Sequence, residues 1–128
     1  MKIEHLAIWV NDIEVMKNFY IKYFMATPSE KYHNAIKSFT SYFLSFDEEC
    51  RLELMHRPDV QHTKLGGQEL MGLAHFAISV GTQQKVNTLT ETLRNDGFVV
   101  VGEPRTTGDG YYESVVLDPE QNRIEITI

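Results

Sequence analysis

Two combinations of histidine and glutamate recur along the chain in matching contexts. His5 and His75 hold the same place in the octapeptides IEHLAIWV and LAHFAISV, at an offset of 70 residues (75 − 5). Glu53 and Glu125 hold the same place in RLEL and RIEI, at an offset of 72 residues (125 − 53). Imidazole nitrogens together with carboxylate oxygens suit a borderline or hard divalent ion. The repeat therefore predicts a site for zinc, nickel, cobalt, manganese or iron(II).

Each of these four residues lies in a short segment whose apolar residues alternate, as in a half-buried strand. Alternate strand residues face opposite sides of a sheet, so the Leu, Ile and Val rows pack on helices and the four side chains face away from them. For one such glutamate alone, a solvated sheet face is the ordinary explanation. The repeat preserves the residue type at both pairs of positions, and a two-fold arrangement of the modules would gather two imidazoles and two carboxylates. This favours a metal site over a solvated sheet face.

The elements that position these residues also repeat, in the order β-α-β-β-β. The two modules cover about residues 1–56 and 73–128, and a connector over 57–72 contains a proline and two adjacent glycines. Periodicity and capping residues predict strands over 3–10, 30–33, 37–46 and 50–56, and then over 73–80, 98–103, 111–118 and 122–128. A helix over about 12–24 begins at Asn11-Asp12, and a second helix follows Gly81-Thr82 and ends at Gly97. Both modules belong to a single domain.

Composition limits the classes of function. A chain of 128 residues with net charge −6 and no Lys/Arg cluster is one folding unit with no affinity expected for nucleic acid. It has no apolar stretch that could span a membrane and no signal-peptide pattern at its start, so we expect a cytoplasmic protein that does not bind membranes. One cysteine, Cys50, allows neither an internal disulfide nor a cysteine-based zinc site.

The motifs together resemble the glyoxalase, or vicinal oxygen chelate, superfamily over essentially the whole chain. The residues that carry the resemblance are His5 on the first strand, Glu53 in RLELM, His75 in LAHFAISV, and the closing segment LDPEQNRIEITI with Glu125. The resemblance implies an α+β fold in which paired βαβββ modules form a curved, barrel-like mixed sheet with the helices outside. It also implies one divalent metal ion bound by these four residues. Family members commonly pair modules between subunits, so we expect a homodimer; a monomer that closes its own site is the alternative.

The ligand pattern is most similar to that of glyoxalase I. Ring-cleaving dioxygenases and fosfomycin transferases of the superfamily typically have no ligand at the position of Glu53. The resemblance thus implies a metal-dependent lyase or isomerase that acts on a small oxygenated substrate through an enediolate. Glu125 is the first choice for the catalytic base and Glu53 is the second. The alternatives are an iron(II) ring-cleaving dioxygenase or another enzyme of the superfamily, and a non-enzymatic protein that sequesters a drug or metabolite.

Three positions depart from the pattern of bacterial glyoxalase I. That enzyme has an arginine four residues after its first histidine and an asparagine four residues after its first glutamate, and both contact glutathione. This chain has Trp9 and Arg57 there, and Met25 replaces the usual glycine after the first helix. Trp9 shares a strand face with His5, where it forms either an apolar wall of the pocket or part of the barrel filling. The substrate, the thiol and the identity of the metal stay open.

Overall fold

The computed structural model describes residues 3–47, 50–60, 72–108 and 110–128. The chain divides into two compact units, Met1–Lys64 and Leu65–Ile128. Most of the predicted connector, including Gly66-Gly67, lies outside the described residues. Each unit has one helix and its own mixed sheet.

The first unit contains a strand, a helix and four further strands: β1 (His5–Trp9), α1 (Ile13–Phe24), β2 (Thr27–Pro28), β3 (Tyr32–Asn34), β4 (Phe39–Ser45) and β5 (Arg51–His56). Strand β5 lies between β1, to which it is parallel, and β4, to which it is antiparallel. Both β2 and β3 pair with β4 in the antiparallel sense. The one weak strand expected around residues 30–33 is thus two short strands. Strand β2 ends at Pro28, and the next residue, Ser29, still donates its N–H to the Phe43 carbonyl of β4.

The described part of the second unit has the same order with one strand fewer after the helix: β6 (Phe76–Ser79), α2 (Gln83–Asn95), β7 (Val100–Thr106), β8 (Tyr112–Leu117) and β9 (Arg123–Thr127). The strand order is β6-β9-β8-β7. Strand β6 is parallel to β9, and the other neighbours are antiparallel. The first and last strands of each unit therefore lie side by side, which brings the two sequence motifs of that unit together.

Helix α1 begins and packs as its sequence predicts. The Asp12 carboxylate accepts hydrogen bonds from the backbone N–H groups of Glu14 and Val15, which satisfies donors that a helix N-terminus leaves unpaired. The residues that share its buried face recur at helical spacing and contact β4 and β5: Ile13, Met16, Phe19, Tyr20 and Phe24. The helix ends at Met25, which has the left-handed backbone φ of 54°.

Helix α2 is capped in the same way at its start and is followed by a glycine at its end. The Thr82 hydroxyl accepts from the backbone N–H of Lys85, and Gly97 follows the helix with φ 91°. Its buried face includes Thr90, whose hydroxyl donates to the Val86 carbonyl and is hydrogen-bonded to Ser114 of β8. Along 3–60 and 72–128, where described, no helix is long and apolar enough to cross a membrane.

The α+β class and the paired modules with mixed sheets are confirmed. In place of one curved sheet, the described strands form two sheets, one in each unit. Among the described strands, β1 pairs only with β5 and β6 only with β9, so each unit ends its sheet with its own first strand. Neither sheet closes on itself within the described residues.

Candidate metal centre

In the first unit, the parallel pairing of β1 and β5 brings His5 and Glu53 together. Glu53 lies opposite Ala7, two residues beyond His5, so both side chains emerge on the same face of the sheet. The neighbours Leu52 and Leu54 are buried on the other face, against the helix. His5 Nε2 lies 3.8 Å from Glu53 Oε2, and the two side chains are 39% and 14% exposed.

In the second unit, His75 and Glu125 take up the same arrangement. His75 immediately precedes β6, and Glu125 on β9 lies opposite Ala77. His75 Nε2 lies 3.1 Å from Glu125 Oε1, with side chains 44% and 19% exposed. An alanine stands opposite the glutamate in both units, and its small side chain leaves space beside each carboxylate.

The spacing within each pair suits two ligands of one metal ion. Ligands bound at about 2.0–2.2 Å and at angles between 90° and the tetrahedral value lie about 2.8–3.6 Å apart. The 3.1 Å separation in the second unit falls in this range. The 3.8 Å separation in the first unit exceeds this range by about 0.2 Å. Each pair can thus supply one nitrogen and one oxygen ligand.

Neither unit by itself supplies a complete set of ligands. Among the residues that the structure describes, no group of three or more His, Cys, Asp or Glu side chains is arranged to hold a metal ion. Protein metal sites of this kind have three or four protein ligands. Each pair by itself is therefore an incomplete ligand set.

Glu4 and Phe43 contact His5, Arg51 contacts both of them, and sequence reasoning missed all three. His5 Nδ1 lies 2.5 Å from Glu4 Oε2, and the Arg51 guanidinium donates to Glu4 Oε1. The hydrogen bonds from His5 and from Arg51 lower the pKa of the Glu4 carboxyl. The Arg51 guanidinium stacks 4.2 Å from the centre of the Phe43 ring, and Phe43 meets the His5 ring edge-on at 5.3 Å. The sequence signal was an acidic residue directly before the histidine and a basic residue two positions before the glutamate.

An aromatic surface extends from His5 along the same face of the first sheet. Trp9 is 42% exposed and meets Phe39 edge-on, with ring centres 6.1 Å apart. Phe39 in turn contacts the Tyr32 ring. The Arg57 guanidinium lies 5.5 Å from the centre of the Trp9 ring and is paired with Asp59. We call Trp9, Tyr32 and Phe39 the aromatic surface; it offers apolar contact area with one cation beside it.

The other two described histidines form hydrogen bonds to neighbouring segments of the first unit. His33 on β3 is hydrogen-bonded to the Thr40 hydroxyl of β4. His56 at the end of β5 donates from Nδ1 to the Val10 carbonyl. Both imidazoles thus have backbone or hydroxyl partners within the sheet.

Comparison with known proteins gives one family. The family model described as "Glyoxalase/Bleomycin resistance protein/Dioxygenase superfamily" matches residues 2–126. A comparison with curated protein sequences gave no match.

Three solved structures similar to this chain are named as glyoxalases or possible glyoxalases. A glyoxalase family protein from Enterococcus faecalis is 21% identical with TM-score 0.79, covering 99% of this chain and 97% of that one. A possible glyoxalase from Bacillus cereus is 26% identical with TM-score 0.72, covering 100% and 99%. The trypanothione-dependent glyoxalase I of Leishmania major is 23% identical with TM-score 0.79, covering 99% and 86%. These likenesses show that the fold is shared along the whole chain.

Proposed function

Because this chain belongs to the glyoxalase/bleomycin resistance protein/dioxygenase superfamily, we propose that it is a metal-dependent lyase or isomerase of the glyoxalase I type. Its substrate is a small oxygenated molecule. The observation that supports this function is the same His–Glu pair at the same register in both units, His5 with Glu53 and His75 with Glu125. A solvated sheet face has no need to keep two residue types at two matched positions.

The two pairs together would bind one divalent ion, with zinc, nickel, cobalt, manganese and iron(II) all compatible with two nitrogen and two oxygen ligands. When bound, such an ion supplies Lewis acidity that stabilises negative charge on two neighbouring substrate oxygens. The four ligands come either from one chain or from two chains of a homodimer, in which each chain contributes one pair to each site.

Glu125 is the proposed base. Its carboxylate takes the proton from the carbon next to the substrate carbonyl, and the electron pair of that C–H bond moves to the carbonyl oxygen to give an enediolate. The same carboxylate then returns the proton to the former carbonyl carbon. The hydroxyl proton of the first carbon passes to the other oxygen, so the carbonyl ends on the first carbon and the hydroxyl on the second. The side chain is 19% exposed, so water has little access to the transferred proton. Glu53, which is 14% exposed, is the second candidate for this role.

The aromatic surface is the proposed contact for the apolar part of the substrate. Trp9 lies on the same strand face as His5, and its ring is open to a ligand. The Arg57 guanidinium beside it adds one positive charge, although Asp59 offsets part of it. This surface favours a substrate with an apolar group.

The exposed aromatic surface also favours a second candidate, a protein that sequesters an apolar drug or metabolite without transforming it. Aromatic rings with a neighbouring cation bind flat organic molecules well. The two candidates differ in whether bound metal and turnover accompany ligand binding.

Metal analysis followed by an activity screen tests the proposal. Protein purified without chelating resin is analysed for bound metal, reconstituted with each candidate ion, and assayed with hemithioacetals of several thiols. We expect one bound ion for each set of two His–Glu pairs, and conversion of at least one substrate. Both the bound metal and the activity should be lost in His75→Ala. His33→Ala, which removes a histidine outside both pairs, is the matched control and should retain both. Equal metal content in wild type and His75→Ala would contradict the proposed site.

A further inference from the structure

We propose that Glu4 and Arg51 are positioning residues that hold the His5 imidazole in its Nδ1–H tautomer, with the Nε2 lone pair turned toward Glu53. The consequence for metal binding rests on the proposed function, in which His5 is a ligand. The tautomer itself does not depend on that function. Family membership assigns no role to either residue.

The contact between His5 and Glu4 fixes where the proton lies. A carboxylate can only accept a hydrogen bond, so the neutral imidazole must donate from the nitrogen that lies 2.5 Å from Glu4 Oε2, which is Nδ1. Nε2 then carries a lone pair and lies 3.8 Å from Glu53 Oε2. Two acceptors that face each other repel unless a cation lies between them. The arrangement therefore prepares Nε2 and Glu53 to share a positive ion.

Arg51 holds Glu4 in place for this contact. A glutamate side chain on the surface has several rotamers, and holding it in one of them costs conformational entropy. The Arg51 guanidinium binds the second carboxylate oxygen of Glu4 and stacks on Phe43, 4.2 Å from the ring centre. Phe43 then meets the edge of the His5 ring. The contacts form a closed circuit from His5 through Glu4, Arg51 and Phe43 back to His5, so the ring is oriented by a hydrogen bond and by packing.

The second unit lacks the acidic member of this circuit. Ala74 precedes His75 where Glu4 precedes His5, although Arg123 stands two residues before Glu125 as Arg51 does before Glu53. In the described part of the second unit, the side-chain partner of His75 is Glu125 alone. The two halves of the proposed site are thus unequal, with His5 the pre-oriented ligand and His75 the freer one.

Histidine NMR and zinc titration of three variants test the proposal. Long-range ¹H–¹⁵N spectra of the metal-free protein, recorded at a pH where His5 is neutral, should show His5 as the Nδ1–H tautomer. Glu4→Ala should shift it toward the Nε2–H tautomer and weaken zinc binding by about 10- to 100-fold, because loss of an orienting partner typically has that effect on metal affinity. Glu4→Gln keeps an acceptor oxygen and should restore part of both. Glu30→Ala removes an unrelated exposed glutamate and should match wild type.

The readouts separate this inference from the proposed function. A His5 tautomer that is the same in wild type and Glu4→Ala would overturn the positioning role, whatever the zinc affinities. If wild type binds no zinc but the tautomer responds to Glu4→Ala, the proposed metal centre fails and the positioning role stands. If Glu4→Ala does not fold, Arg51→Gln tests the same set of contacts from β5. We expect the same shift of the His5 tautomer in Arg51→Gln. An unchanged tautomer in this variant would overturn the role of Arg51.

Discussion

Glu53 and Glu125 are equivalent by position in their units, and substitution can separate metal binding from proton transfer. Glu125→Gln keeps the size and one oxygen donor but removes the negative charge that accepts a carbon-bound proton. If Glu125 is the base, turnover should fall by about 10² or more, while bound metal decreases less. Metal content and isomerisation rate, both measured after reconstitution with the native ion, check this expectation.

Glu53→Gln is the matched control for this prediction, because it changes the same group at the equivalent register position. If Glu53→Gln is inactive while Glu125→Gln stays near the wild-type rate, the two roles are exchanged. Full activity in both variants would show that no carboxylate of the metal centre abstracts the proton.

Glu14 gives a second prediction at the scale of one residue, this time for stability. Its carboxylate accepts from Lys17 at 2.5 Å, from Lys31 at 2.9 Å and from the Tyr42 hydroxyl at 3.0 Å, and so ties α1 to β4. The hydrogen bonds from Lys17 and Lys31 lower the pKa of Glu14 from 4.5 to about 2. A carboxyl with a lowered folded-state pKa stabilises the protein above its unfolded pKa and loses that contribution as the pH falls. The relevant window lies between pH 4.5 and about 2.

We therefore expect wild type to lose more stability than Glu14→Gln across that window. The side chain is 45% exposed, so screening by solvent limits the difference to about 1 kcal/mol or less. Urea denaturation of both proteins at several pH values between 2 and 6 measures it. Parallel stability profiles of the two proteins would contradict the assignment.

Metal binding by the four candidate residues stays a prediction. The closeness of each histidine to the glutamate of its own module could be predicted from sequence, because the repeat preserves His and Glu at matched strand positions. The residues that orient His5 could not. Neighbouring residues on a strand face opposite sides, so alternation places the side chain of Glu4 away from His5. Glu4 lies just before β1 begins, where alternation does not apply, and its side chain can turn back to the His5 ring. Arg51 comes to Glu4 only through the pairing of β1 with β5.

At the scale of elements, the two helices end differently, and this predicts opposite effects of substitution. Met25 holds a left-handed φ of 54° without the freedom of glycine and is 82% exposed. Met25→Gly should stabilise the protein by about 1 kcal/mol, because an L side chain is strained in this conformation. Gly97 holds φ 91° after α2, so Gly97→Ala should destabilise it by a similar amount.

Gly108→Ala is the control for both, because no heavy atom lies within 4 Å of the added Cβ and its φ is not left-handed. Chemical denaturation of the three variants gives the differences in free energy of unfolding. Destabilisation by Met25→Gly would mean that packing of the Met25 side chain outweighs the backbone strain.

Strand positions could be predicted from alternation, but strand ends and partners could not. The strand predicted over 98–103 stops directly before Pro104. The ladder instead continues to Thr106 across a register shift between Gly102 and Arg105 that accommodates the proline. Periodicity also fixes which face a residue occupies but not which strand lies beside it. The expectation of a curved, barrel-like sheet came from the family resemblance, and the described strands form two mixed sheets.

At the scale of the whole molecule, the division of ligands between two units leads us to expect a homodimer. A chain of 14.8 kDa should then appear in light scattering at about 29.6 kDa (2 × 14.8) at micromolar concentration. A species of 14.8 kDa would leave the single chain to assemble the site alone.

Mixing two inactive variants determines whether subunits share sites. His5→Ala and His75→Ala chains are unfolded together, refolded and tested for bound metal. If each site takes one pair from each chain, one of the two sites in a mixed dimer has both histidines, and metal binding returns. If each site lies within one chain, every site lacks a histidine, and metal binding stays absent. Variants refolded separately are the control.

The parallel pairing of first and last strands also bears on how the chain folds. His5 and Glu53 are separated by 48 residues (53 − 5), and His75 and Glu125 by 50 (125 − 75). Antiparallel neighbours such as β4 and β5, or β8 and β9, close much shorter loops and lose less chain entropy when they pair. We therefore expect the hairpins to form early and β1 and β6 to join their sheets late, although each begins its unit. The two His–Glu pairs would then form in the last step of folding. A partly folded chain would therefore have no site that binds a metal ion.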